Sequence, residues 1–220
     1  MAERPETPQL RCTPGLEDSF PDGRLVAASA SRNTAPLIEA LTPLLRDRRG
    51  LVLDVGCGTG QHAAAMAEMF PDLDWLPSDP FEVHLESAAA WVRHAQMPNL
   101  LQPMWLDAAE AWPEIEPLTA VISSNVIHIS PWPVTEGIVR GAAANLVPGG
   151  LLMFYGPFKE NGQHTGDGNA AFDAKLRADD PAWGIRDAGD VAERAAAGGF
   201  GPPELLPMPA NNRLLVFRRA

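Results

Sequence analysis

Asp54, Gly56, Gly58 and Gly60 stand at alternate positions, the acid within the apolar run Leu51–Val55 and the glycines after it. Glycine lets the backbone turn left-handed and come close to a ligand. The start of the next helix would offer N–H groups and partial positive charge to an anion. A dinucleotide fingerprint, G-x-G-x-x-G, needs its third glycine at position 61, where Gln61 stands. Asp54 also puts negative charge beside the loop, which suits an ammonium group better than linked phosphates. S-adenosylmethionine has an α-amine, a carboxylate, a sulfonium, a ribose diol and an adenine, and no pyrophosphate. The competing reading is a plain tight turn from strand to helix.

The other candidates lie where strands should end. Asp79, in Ser78-Asp79-Pro80, could accept hydrogen bonds from both ribose hydroxyls. It could equally cap the next helix, with Pro80 at the first helical position and Glu82 at the third. Asp107 could accept from an adenine amino group or merely cap a loop. Asn125 could touch the cofactor's amino group through its backbone carbonyl, and Cys57 lies within the loop itself. Methyl transfer is an in-line displacement on an activated methyl, so the protein mainly supplies proximity, orientation and desolvation. A base helps only where the acceptor arrives protonated. His128, just after a strand, is the candidate base, or else a histidine held by backbone. Tyr155, the only tyrosine, would orient the acceptor or cap the core.

Arg32, ahead of the first long helix, could pair with a carboxylate of cofactor or substrate. His164 sits in a glycine-rich segment, 159–168, that reads as a lid or a surface loop. Trp132, Phe158 and Trp183 could line an acceptor pocket or pack in the core. His62 is placed at the cofactor mouth, and His84 and His94 on the surface of a helix. No histidine or cysteine spacing suggests a metal.

The elements that must hold these residues alternate between strand and helix. A helix is expected at residues 34–41, entered through Ser31-Arg32-Asn33. Strands are expected at 51–55, 74–77, 102–105, 119–124 and 151–155, the last entered by a turn at Pro148-Gly149-Gly150. Helices are expected at 61–70, at 81–95 with an apolar stripe at 81, 85, 88, 92 and 95, and at 135–146. Another is expected at 187–197, with Asp187 as N-cap and Gly198-Gly199 at its end. A closing hairpin pairs 203–208 with 213–218 around Ala210-Asn211-Asn212. Such alternation gives a mostly parallel sheet with right-handed crossovers and helices on both faces. Its ligand belongs at the carboxyl ends of the strands, where strand order reverses.

The 220 residues suffice for one domain, expected over 25–220, behind a flexible arm at 1–24 rich in Pro, Glu and Gly. A net charge of −11 disfavours long nucleic acid. With lysines only at 159 and 175 and no phosphate-loop motif, P-loop and Schiff-base chemistry have little to draw on. Two cysteines, Cys12 and Cys57, and no apolar leader fit a reducing cytoplasm. No apolar run is long enough to span a membrane.

DVGCGTG, PSD and NLVPGGLLMFYGPF resemble class I S-adenosylmethionine-dependent methyltransferases. Further stretches resemble the domain of unknown function 938 family: SRNTAPLIEAL, GQHAA, PSDP, NVIHISPW with TEGIVRGA, YGPFKENGQHT, FDAKLRADDPAWGIRD and MPANNRLLVFRR. The resemblance runs from about residue 29 to the end. It implies a Rossmann-like, seven-stranded sheet with its last strand antiparallel. It carries Asp54, Gly56, Gly58 and Gly60 over as the cofactor loop, Asp79 as the ribose acid and Asp107 as the adenine-side acid. The fourth-strand motif N/D-P-P-Y/F of adenine and glutamine methyltransferases is absent at Ser124-Asn125-Val126-Ile127-His128.

The expectation is an S-adenosylmethionine-dependent transfer of methyl to a small molecule, by a monomer or homodimer with no nucleic-acid or membrane partner. The alternatives are a non-catalytic S-adenosylmethionine-binding scaffold or sensor and, third, a nicotinamide-dependent oxidoreductase.

Overall fold

The apolar run becomes strand β3 (Gly50–Val55), and its residues are buried on both sides of a sheet. Val52 joins one core cluster, while Leu51, Leu53 and Val55 join the other. A strand covered on both faces reads as a continuous apolar run, as parallel strands do. The computed structural model describes residues 16–220.

The chain opens with β1 (Leu16–Ser19) and β2 (Leu25–Ala27), then α1 (Ala28–Leu45). After β3 come α2 (Gln61–Met69), β4 (Leu73–Asp79), α3 (Glu82–Ala95), β5 (Met104–Trp105), β6 (Leu118–Ser124), α4 (Trp132–Asn145) and β7 (Leu146–Pro157). The small strands β8 (Lys159–Glu160) and β9 (Gln163–His164), α5 (Asp167–Asp179), α6 (Ala188–Ala197), β10 (Glu204–Pro207) and β11 (Asn212–Arg218) complete it.

Seven strands form one sheet in the order β10-β11-β7-β6-β3-β4-β5. β5, β4, β3, β6 and β7 pair in parallel; β11 pairs antiparallel with both β7 and β10. Helices α1 and α2 cover one face, with Leu37, Leu41 and Met66 packing against Val52, Trp75, Met153 and Val216. Helices α4 and α6 cover the other, where Ile138, Val139 and Val191 meet Leu53, Val121, Phe154 and Phe217. The chain leaves β3 toward β4 on one side, and later fills β6 and β7 on the other. The strand order therefore reverses between β3 and β6, which is where a ligand is expected.

Several boundaries differ from the sequence reading. The first helix starts at Ala28, so Ser31, Arg32 and Asn33 lie inside it rather than before it; Pro36 and Pro43 are accommodated within. Pro148-Gly149-Gly150 is not a turn ahead of a strand. It belongs to β7, as an irregularity in the pairing with β6 between Leu118 and Ala120. The buried face of α3 is His84, Ser87, Ala88 and Ala90, rotated from the expected stripe because His84 and Ser87 have polar partners in the core. His84 is buried, which corrects its placement on the surface; His94 is exposed.

Residues 16–24 do not form a loose arm. β1 and β2 pair as a hairpin. Ser87 Oγ accepts from the Leu25 amide at 2.9 Å, Trp91 Nε1 donates to the Leu25 carbonyl, and Arg24 lies over the rings of Phe20 and Trp91. The remainder of the expected arm, 1–15, lies outside the described residues. Among the described residues, no helix is long and apolar enough to cross a membrane.

Candidate functional site

The loop between β3 and α2 holds Gly56, Gly58 and Gly60 at φ of 72°, 55° and 84°. All three are left-handed, a conformation that disfavours side chains. The reasons for the missing Cβ differ. At Gly56 it would lie 2.3 Å from Val126 Cγ2, and at Gly60 2.7 Å from the Cα of Ala88 on α3. At Gly58 it would meet no described atom within 4 Å. Gly56 and Gly60 thus serve packing, while Gly58 leaves backbone exposed to approach.

Ser78 stitches this loop to β4, its carbonyl accepting from the Gly56 and Cys57 amides. Asp79 completes the tie. It is the last residue of β4, not a helix cap: α3 begins at Glu82, after Phe81. Asp79 Oδ2 accepts from the Gly58 amide at 3.0 Å; Oδ1 accepts from the Phe81 amide and from His84 Nδ1, both at 3.0 Å. A carboxylate has about four lone-pair sites. One remains on Oδ2, so a ribose diol meets one open acceptor here rather than two.

Asp54 is buried beneath the loop, and Ser78 Oγ donates to its backbone carbonyl at 3.0 Å. Burial, and then the nearby Asp79 carboxylate, push its carboxyl up to about 7. Such an acid gains from a cation brought to it. The Cys57 thiol is driven well above its ordinary pKa by burial and by Asp54 and Asp79, so it is no thiolate nucleophile.

Around the loop, Gln61 Oε1 accepts from the Ala27 amide at 2.8 Å, and its Nε2 donates to Ser31 Oγ. These bonds dock the start of α1 onto α2. Arg32 is exposed on the next turn of α1. His62 is half-buried and held down to about 4 by burial. Thr34 Oγ1 donates to the Ala30 carbonyl at 2.7 Å, so His62 Nδ1 must donate to Thr34, at 3.2 Å, leaving Nε2 as a lone pair. Asp107 Oδ1 accepts from the Ala109 amide at 3.0 Å, a loop-capping contact; its neighbour Ala108 packs where Gly137 of α4 lacks a side chain.

On the other side of the reversal point, Asn125 follows β6 at φ 65°, its amide donating to the Tyr155 carbonyl. His128 closes a helical turn over Val126–His128 and is wholly buried. Its Nδ1 accepts from the Arg186 amide at 3.2 Å, and its ring meets Phe158 edge-on at 4.8 Å. Burial, then the Arg186 charge, lower its pKa to about 3, against a smaller opposing pull from Asp173. Arg186 itself donates to the carbonyls of Ile127, Ser130 and Ala182 and lies 4.4 Å over Trp132. It fixes the whole 127–130 turn. Nothing in the local sequence around Arg186 marks it, because its bonds to the turn, at Ile127 and Ser130, cross more than fifty residues.

The acceptor-pocket expectations fare differently. Tyr155 does not face His128's surroundings: its ring packs in the cluster with Leu37 and Leu41, whereas Phe158 packs in the other. Tyr155 Oη accepts from Asn212 Nδ2 at 3.0 Å, and burial raises its pKa. Phe158 is packed into the core cluster beneath α4 and α6, its ring edge-on to His128, which corrects its placement as a pocket wall. The ring of Trp132 is covered by Arg186 and by Arg194 at 3.6 Å. Within the 159–168 segment, residues 159–164 form a hairpin whose Asn161-Gly162 turn has φ of 53° and 77°, the left-handed pair favoured by Asn-Gly, and Asp167 already begins α5. His164 Nε2 and Lys159 Nζ both reach Asp173 Oδ2, at 3.3 and 2.8 Å. That dipeptide was the local signal for a hairpin. Among the described residues no group of His, Cys, Asp and Glu is placed to hold a metal ion.

A family model described as protein of unknown function (DUF938) matches residues 24–219. A tRNA (guanine-N(7)-)-methyltransferase of Sphingopyxis alaskensis is 32% identical over 119 residues, 48% of this chain and 50% of that protein. The chain thus spans about half the length of that relative. Among solved structures, an O-methyltransferase family protein from Burkholderia thailandensis superposes with a TM-score of 0.73 at 16% identity, over 87% of this chain and 57% of that one. Human N-acetylserotonin methyltransferase, solved with SAM, gives 0.67 at 14% identity, over 87% and 53%. These likenesses establish the class I methyltransferase fold, and the chain belongs to the DUF938 family.

Proposed function

We propose that this protein binds S-adenosylmethionine at the β3–α2 loop and transfers its methyl group to a small molecule. The observation that carries the reading is the Gly58–Asp79 tie above a buried Asp54. Gly58 offers open backbone, Asp79 offers one acceptor to a ribose hydroxyl, and Asp54 offers charge to the α-ammonium. Asp107 stands for the adenine side, Asn125 for the amino-acid end, and Arg32 and His62 for the mouth. The reaction needs mainly alignment of acceptor, methyl and sulfur and exclusion of water. A small acceptor is favoured over RNA by the net charge of −11, although the Sphingopyxis relative is named for tRNA. The two cysteines fit a cytoplasmic setting.

The test is transfer of labelled methyl from S-adenosylmethionine into a deproteinised metabolite extract, with total tRNA as a second arm. Label in the small-molecule fraction supports the reading; label in tRNA alone refutes the acceptor class. A second reading, a non-catalytic S-adenosylmethionine-binding scaffold or sensor, is favoured by the full burial of His128 and Tyr155. It is the reading left if the cofactor binds and neither arm is labelled.

A further inference from the structure

His128 was the candidate base, and its hydrogen bonds oppose that role. The Arg186 backbone N–H can only donate, so the His128 Nδ1 facing it at 3.2 Å carries a lone pair. A neutral ring in that tautomer has its proton on Nε2. For Nε2 to act as the accepting atom, Nδ1 would have to bear the proton and oppose the Arg186 N–H, donor against donor. Arg186, before α6, and Asp173, on α5, are the charged groups acting on the ring, and the arginine opposes a second proton.

His128 Nε2 is buried and has no partner among the described residues. A buried donor left unmatched keeps its desolvation penalty, which a bound acceptor would remove. The atom lies against Gly156 near the end of β7: a Cβ on Gly156 would be 2.6 Å from Nε2 and 3.0 Å from Asn125 Oδ1. The missing side chain therefore brings the His128 donor and the Asn125 amide to one place, at the strand ends beside the reversal point. The turn that holds them is fixed by Arg186 from the opposite side.

We infer that His128 meets the methyl acceptor as a fixed hydrogen-bond donor through Nε2–H, and that the substrate carries a lone-pair oxygen or nitrogen beside the atom to be methylated. This rests on the methyl-transfer reading. Asn125 and His128 together then select acceptors by a hydrogen bond, and any proton on the nucleophile leaves to another group or to solvent.

Two substitutions separate the ring's atoms. His128→Asn retains an acceptor where Nδ1 stands and deletes the Nε2 donor. His128→Gln retains a donor near Nε2 and deletes the acceptor for Arg186. Labelled-methyl transfer into the metabolite extract should fall roughly 100-fold in H128N, the scale for losing one preorganised donor. H128Q should recover part of that rate while melting at a lower temperature than H128N. Long-range nitrogen–proton NMR of the wild type should show the proton on Nε2 of His128. Undiminished transfer in H128N, rates that simply follow stability, or a proton on Nδ1 would each overturn the inference. Wild-type protein that binds S-adenosylhomocysteine yet labels nothing would instead remove the proposed activity and this role with it; a wild type that labels while H128N equals it sinks this inference alone.

Discussion

The Gly58 amide donates to Asp79 Oδ2 across 3.0 Å, and this bond makes the loop after β3 and the end of β4 a single unit. The carboxylate that orders the loop is also the acid left with one open acceptor. Asp79→Asn keeps the shape but turns an acceptor into an NH2 at one of its two oxygens. The expected result is a folded protein whose S-adenosylhomocysteine affinity drops by about tenfold or more, the order set by a lost charge-assisted hydrogen bond. Calorimetry measures the affinity, and faster exchange of the Gly58 amide would report the loosened loop.

Asp54 couples pH to stability. Its carboxyl is raised from 3.8 to about 7 in the folded chain, by burial and then by Asp79. Between those values the folded state binds more protons than the unfolded one, so this group's contribution to stability falls as pH rises through that window. Asp54→Asn should therefore melt higher than wild type at pH 8 and about level with it at pH 4. The same variant should bind S-adenosylhomocysteine more weakly. In the wild type that affinity should strengthen from pH 6 to 8, as the carboxylate ionises toward the ligand's ammonium. Thermal melts and calorimetry across this range check both.

Gly58 and Gly60 should rank in opposite order for stability and for affinity when each is changed to alanine. At Gly60, φ of 84° and a Cβ 2.7 Å from Ala88 Cα combine strain with overpacking, for a loss of about 3 kcal/mol. At Gly58 there is room, so stability should fall by only about 1 kcal/mol, while ligand affinity falls more than in G60A. Denaturant unfolding set beside calorimetry would show whether the order crosses.

Asp187 caps α6 by accepting from the Gly189 amide at 2.8 Å, and its other oxygen accepts from the Gly162 amide at 2.6 Å. One side chain thus holds a helix start and a hairpin turn. Asp187→Ala should cost about 2 kcal/mol, somewhat above an ordinary cap. Proteolysis should then begin within residues 159–166, which mass spectrometry of the first fragments would locate.

Features written in short-range pattern were legible in the sequence. The strand–helix alternation, the glycine loop, the Asp187 cap and the closing hairpin each depend on neighbours a few residues apart. What escaped depends on distant partners. Arg186 reaches the Ile127–Ser130 turn across more than fifty residues. His84 is drawn inward by Asp79 only five residues back, but across the junction of β4 and α3, where a helical stripe carries no sign of it. Trp132 and Phe158 looked available for a pocket until Arg194 and His128 were found against them. The N-terminal hairpin gave little signal because β2 has three residues and is fastened by Ser87 and Trp91 rather than by its own pattern. The Asn161-Gly162 turn carries a local hairpin signal, which the reading of 159–168 as a lid or a surface loop passes over.

The central claim is that the turn over Asp54 accepts a nucleoside joined to an amino acid, not one joined to a diphosphate. Calorimetry of the intact chain with S-adenosylhomocysteine and with NAD, side by side, tests it most directly. Saturable binding of the first, weakened in D79N, and none of the second is the expected outcome. Binding of NAD in its place, or of neither, would contradict the account.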